Sequence, residues 1–172
     1  MEKAEEAAAA AAQEQWQGVV EANLPSTPAS AAWPHIASFC ALHRYLPGID
    51  VCELAAGEDG RPGCVRSWAR EKLLEIDDGA RRLGYAVVGS SMGFGSYVAT
   101  MSVVAGDADE GCRLVWAFEC QPVQGWSRDG LLAYLDGGVR AIAARIEEAA
   151  RAAYAAANAT PEEAAASVAA NA

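Results

Sequence analysis

Apolar and polar residues alternate through most of the middle of the chain, then give way to a three- and four-residue repeat near its end. Alternation marks half-buried strands. "WQGVVEANLP" (16–25) reads as a first strand closed by a proline. "IDVCELAAGEDGRPGCVR" (49–66) holds two short apolar runs about a glycine-rich turn and reads as a hairpin. "WAREKLLEID" (68–77), "RRLGYAVVGS" (81–90), "GSYVATMSVV" (95–104) and "CRLVWAFECQPV" (112–123) follow as further strands. Because alternate strand residues share a face, Leu83, Tyr85 and Val87 group together, as do Tyr97, Ala99, Met101 and Val103, and Leu114, Trp116, Phe118 and Cys120. The same parity puts Glu71, Leu73 and Glu75 on one face. The result is a continuous apolar surface with two tyrosines set into it.

Two segments break the alternation. "STPASAAWPHIASFCALHRYLPG" (26–48) predicts two short helices, with Ser26 or Thr27 as N-cap, Pro28 near the first helical position and Pro34 as the interruption. From Ser127, a predicted N-cap, Leu131, Leu132, Leu135, Val139, Ile142 and Ile146 recur at helical spacing, while Asp129, Asp136, Arg140, Glu147 and Arg151 tend to the opposite side. Gly137-Gly138 in that helix predicts a bend or a close approach. Strand, two short helices, antiparallel strands and a long terminal helix describe an α+β fold in which a curved sheet wraps one helix. The concave space then holds either packed side chains or a ligand pocket.

Composition narrows the partners. The chain has 172 residues, 52% hydrophobic, but alanine at both ends accounts for much of that figure. The expected organisation is a tail over 1–14, one domain over 15–155 and an Ala-rich tail over 156–172. A formal net charge of -10 repels phosphate backbones and anionic lipid surfaces, so nucleic acid is not an expected partner. No window approaches the roughly 18–20 apolar residues that span a bilayer, and no signal or transit peptide is read at the acidic N-terminus. Membrane insertion is not expected.

Cys40, Cys52, Cys64, Cys112 and Cys120 are an odd number, widely spaced and without a C-x-x-C, and His35 and His43 have no clustered ligands. Reduced thiols in the cytosol or nucleus are the expectation, with no metal and no cofactor. Gly57, Gly60 and Gly63 offer a superficial phosphate loop, but no Lys-Ser/Thr follows, and a turn is the better reading.

The order of elements resembles the helix-grip fold of START domains, the birch pollen allergen and plant hormone receptors, within the polyketide cyclase/dehydrase and lipid transport superfamily. More closely, "VCELAAGEDGRPGCVR", "WAREKLLEID", "MGFGSYVATM" and "CRLVWAFECQPVQGW" resemble the plant lachrymatory-factor synthase-like proteins, over residues 16–150. That resemblance implies a pocket with an arginine, a glutamate and two tyrosines at the positions of Arg66, Glu71, Tyr85 and Tyr97, isomerising a sulfenic acid to a thial S-oxide. In such chemistry Glu71 would shuttle the proton, Arg66 would clamp the sulfur-bound oxygen, and the tyrosines would orient the substrate.

One feature departs from the family pattern: only Ser67 separates "GCVR" from Trp68, where relatives carry a longer stretch. A tight turn at Arg66-Ser67 preserves the remaining strand pairings, and predicts a stub third strand with Arg66 at a rim. On residue type alone, Glu71 between Arg70 and Lys72 also fits a solvated edge, and Tyr85 and Tyr97 fit core positions. Trp68, Trp116 and Trp126 are expected in the core or pocket wall. The expected function is binding of a small hydrophobic molecule, a lipid or hormone-like metabolite, against Leu73, Val87, Met101, Leu114, Trp116, Phe118, Leu135 and Val139. The alternative is the isomerase. No protein partner is assigned.

Overall fold

The structure, a computed structural model, describes residues 14–45, 53–67, 70–89, 95–107 and 110–159. Trp68, Cys52, almost all of the N-terminal tail and residues 160–172 lie outside these segments. The elements in chain order are β1 (Trp16–Leu24), α1 (Ala29–Ala37), a 3₁₀ segment (Phe39–Arg44), β2 (Leu54–Ala56), β3 (Val65–Arg66), β4 (Glu71–Asp77), β5 (Arg82–Val87), β6 (Tyr97–Ala105), β7 (Cys112–Cys120) and α2 (Arg128–Asn158).

All seven strands form one antiparallel sheet in the order β1-β7-β6-β5-β4-β3-β2. Each strand after β1 pairs with its sequence neighbour, and β1 crosses to the far edge to pair with β7 from Trp16↔Cys120 to Leu24↔Cys112. One face is buried under α2, which docks Leu131, Leu135, Val139, Ile142, Ala143 and Ile146. This is the helix-grip arrangement expected from the order of elements.

The alternation written in the sequence sets most of the core. Leu83, Tyr85, Tyr97, Ala99, Met101, Val103, Leu114, Trp116, Phe118 and Cys120 are all buried, and Val87 is half-buried near the end of β5. Glu75 departs from its predicted face. A bulge between Leu73 and Glu75 inserts one residue into β4, which reverses the alternation beyond it. Glu75 is therefore exposed and meets Arg82 at 3.4 Å, while Ile76 packs against the core in its place.

Local signals fix the helices, with three corrections. Ser127 caps α2 as predicted, its Oγ accepting from Gly130 N. At α1 neither Ser26 nor Thr27 is the cap: Pro28 occupies the N-cap position without a side-chain hydrogen bond, and its carbonyl accepts from Ala31 and Ala32. Pro34 lies inside α1, and the break comes after Ala37, where Ser38 N and Oγ both return to the Pro34 carbonyl. The third concerns the glycines of α2. The helix runs unbroken through Gly137-Gly138, and a Cβ on Gly137 would meet only open space.

The close approach lies instead at Gly18 of β1, where a Cβ would fall 2.5 Å from Leu132 Cδ2 and 2.9 Å from Phe118 Cε1. Helix and sheet meet there because glycine removes the side chain between them. Gly18→Ala is expected to cost about 1–2 kcal/mol in urea unfolding, since the Leu132 methyl can swing away while the Phe118 ring, stacked at 6.0 Å on Tyr97, cannot. An unchanged midpoint would mean that the helix shifts freely.

Trp126 is also corrected. It is 37% exposed and stacks edge-on against Tyr134 at 5.5 Å, on the surface beside the start of α2. Trp116 is buried as expected.

Candidate functional site

The short connection after Arg66 creates the site. β3 is only Val65–Arg66, the predicted stub, and β4 begins at Glu71. Arg70 re-enters the sheet with left-handed backbone (φ 49°), its carbonyl accepting from Val88 N at 2.8 Å. Antiparallel register then sets Arg66 directly opposite Glu71, and Val65 opposite Lys72. Directly opposed residues put their side chains on the same face, and here that is the buried one. Arg66 is 4% exposed and Glu71 5%. Neither the rim position expected for Arg66 nor the solvated edge weighed for Glu71 holds.

The pair is tightly organised. Arg66 Nε donates to Glu71 Oε2 at 2.5 Å, Nη2 reaches the same oxygen, and Nη1 donates to the Phe39 carbonyl at 2.9 Å. The guanidinium carbon lies 4.0 Å from the Phe39 ring centroid and 5.1 Å from that of Tyr85. Tyr85 sits two residues before Val87, the cross-strand partner of Glu71, and so shares its face; Tyr97 lies diagonally across on β6. The two tyrosine rings are 6.4 Å apart. All four residues singled out in the sequence are therefore neighbours on the concave face.

Burial dominates the electrostatics. It pushes the Glu71 carboxyl above its ordinary 4.5, and the attraction and hydrogen bonds of Arg66 pull it back only in part. Burial likewise raises both tyrosines and keeps their hydroxyls protonated. A carboxyl whose folded pKa is raised contributes stability that is fully present below 4.5 and is lost as pH rises through the folded value. Urea unfolding from pH 4 to 8 is expected to show wild type losing stability with rising pH relative to Glu71→Gln. Parallel profiles would show that Glu71 titrates normally.

Trp116 Nε1 is buried and finds no partner at hydrogen-bond geometry, although it lies close enough to Tyr97 to influence the hydroxyl. A cavity leads inward from exposed Ser38 and half-buried His35 to Arg66, walled by Ile36, Leu83, Met101 and Ile142. The room at its centre is about 10 Å³, roughly that of a single water. Of the eight apolar residues expected to line a pocket, Met101 lines this one; Leu73, Leu114, Trp116, Phe118, Leu135 and Val139 lie in the surrounding core, and Val87 at its edge.

Sequence reasoning missed Phe39, His35 and Tyr45. Phe39 plugs the space above Arg66, and His35 Nδ1 lies 2.6 Å from Tyr45 Oη beside the cavity. Their segment is one short helix and a 3₁₀ turn, too brief for a periodicity that identifies an inward face. Among the described residues, no group of His, Cys, Asp and Glu could hold a metal ion, and no helix is long and apolar enough to cross a membrane. Cys64, Cys112 and Cys120 are buried free thiols.

Comparison with solved structures agrees with this architecture. A protein from Thermobifida fusca, solved by NMR, superposes with a TM-score of 0.61 at 24% identity, covering 78% of this chain and 93% of that one. XoxI from Bacillus cereus gives 0.64 at 20% identity, over 78% and 94%. The crystal structure of Ara h 8.0201 gives 0.60 at 16% identity, over 78% and 97%. At such identities the likeness speaks to the fold. The sequence itself matches the family described as polyketide cyclase / dehydrase and lipid transport over residues 8–151. With that match spanning most of the chain, the protein belongs to the polyketide cyclase / dehydrase and lipid transport family.

Proposed function

We propose that the protein binds a small hydrophobic molecule between the sheet and α2, with the ligand's polar end at Arg66, Glu71, Tyr85 and Tyr97. The observation that carries this reading is the buried arginine–glutamate pair on an otherwise apolar face. Desolvating two charges costs several kcal/mol, and such a pair is often no more stabilising than apolar residues of the same volume. Its placement beside two buried hydroxyls and a cavity supports a role in recognition. The family's description, which includes lipid transport, supports the apolar half of the ligand.

The cavity as it stands is smaller than any such ligand, so binding requires the Phe39 ring to swing aside. Titration with an apolar fluorescent probe, followed by competition with candidate lipids, tests the reading. Saturable, displaceable binding with a stoichiometry near one is expected. A folded sample with no saturable signal would mean a packed core.

A second reading rests on the contact between Glu71 and Arg66. A carboxyl with raised proton affinity beside a fixed guanidinium suits transfer of a proton from the oxygen of an alkenyl sulfenic acid to its carbon, an isomerisation that needs no oxidant or reductant. Glu71 would carry the proton, Arg66 would hold the oxygen, and Tyr85 and Tyr97 would orient it. Generating the sulfenic acid in place with cysteine sulfoxide lyase, and reading products by mass spectrometry, tests this. Protein-dependent thial S-oxide lost in Glu71→Gln is the expected result; only spontaneous thiosulfinate would remove the reaction.

A further inference from the structure

Resting on the binding reading above, we infer that the site selects an uncharged polar head, such as an alcohol, a carbonyl or a sulfur-bound oxygen, over carboxylates, phosphates and ammonium groups. Arg66 and Glu71 are the only charged residues buried among those described, and they neutralise each other. The guanidinium is also held in place. Its Nε and Nη2 engage Glu71, its Nη1 engages the Phe39 carbonyl, and aromatic rings of Phe39 and Tyr85 lie within cation–π reach.

An incoming anion meets no unmatched positive charge. To pair with Arg66 it must either add a second negative charge beside Glu71 in a desolvated site or force Glu71 to take up a proton. An incoming cation fares no better, because the carboxylate it needs already holds Arg66. A neutral oxygen meets neither obstacle. Arginine has five N–H donors, of which three are used here. Trp116 Nε1 adds a buried donor that meets no partner at hydrogen-bond geometry, on the same side of the core as Tyr97. Satisfying that donor favours a ligand with an acceptor and no charge.

The test measures dissociation constants for 1-decanol, 2-decanone, decanoate and decylammonium at pH 7, in wild type and in Glu71→Gln. In wild type the two neutral probes are expected to bind about tenfold or more tighter than the two ions. In Glu71→Gln the guanidinium loses its counter-charge, and the decanoate-to-decanol ratio of dissociation constants is expected to fall about tenfold. An indifferent apolar pocket would leave that ratio unchanged. An unchanged ratio in folded Glu71→Gln, or wild type preferring decanoate, overturns the inference while leaving the binding reading intact. If no probe binds, both fall. Should Glu71→Gln fail to fold, calorimetry of decanoate with wild type in buffers of different ionisation enthalpy decides. Proton uptake on binding is expected, and tight binding without it refutes the inference.

Discussion

Arg66→Met alone is expected to lower the unfolding free energy by about 3–5 kcal/mol, and Arg66→Met with Glu71→Leu to recover most of that loss. The single change removes the one basic partner, among the described residues, of a carboxylate that is 5% exposed. The double change removes both desolvation penalties together. It replaces the pair with apolar side chains on a face already walled by Leu73, Tyr85 and Val87. Because burial already raises the proton affinity of Glu71, the single variant should regain part of its stability towards pH 4, where the orphaned carboxyl takes up a proton. Urea unfolding at pH 7 and pH 4 reads both effects. The double variant also separates fold from function: a stable protein that no longer binds the apolar probes carrying a polar oxygen shows that the pair serves recognition. A double variant as unstable as the single one would make the pair a structural necessity instead.

Phe39→Ala is expected to cost about 3–5 kcal/mol, and yet to raise affinity for bulky apolar probes. Phe39 is 1% exposed, packs 6.0 Å from the Tyr85 ring and covers the guanidinium at 4.0 Å. Phe39 lines the cavity together with exposed Ser38 and Arg66, so truncation enlarges it there. The loss of stability is read by urea unfolding, and the gain by titrating probes of increasing length. A destabilised protein whose affinity also falls would show that the Phe39 ring is part of the ligand's contact surface rather than its plug.

Both outcomes turn on a connection that the chain shortens. With only Ser67 before Trp68, the sequence predicts a tight turn that leaves Arg66 at a rim, where it would not form a working pair with Glu71. The antiparallel pairing of β3 with β4 makes Arg66 and Glu71 cross-strand partners in a two-residue ladder. Side-chain parity then sends both inward. The expectation of a rim position failed because the 3₁₀ segment covers that end of the sheet, and it comes from a part of the chain remote in sequence: Arg66 Nη1 reaches the carbonyl of Phe39, 27 residues earlier.

What the chain determines by itself is whatever depends on local period and local chemistry. The alternation of β5, β6 and β7 placed Leu83, Tyr85, Tyr97, Met101, Trp116 and Phe118 on the buried face, and the apolar stripe of α2 with its Ser127 cap was legible for the same reason. A one-residue event defeats such periodicity. The bulge in β4 turned Glu75 out and Ile76 in, and no residue type announces it. Helix–sheet distance was equally hidden: glycines in α2 drew attention, yet the contact depends on Gly18 of β1, whose neighbours Leu132 and Phe118 are 114 and 100 positions away. Only the tertiary structure decided that Arg66 is buried, that Phe39 closes over it, and that the charges in the site cancel, because burial and pairing depend on which distant segment supplies the opposing surface.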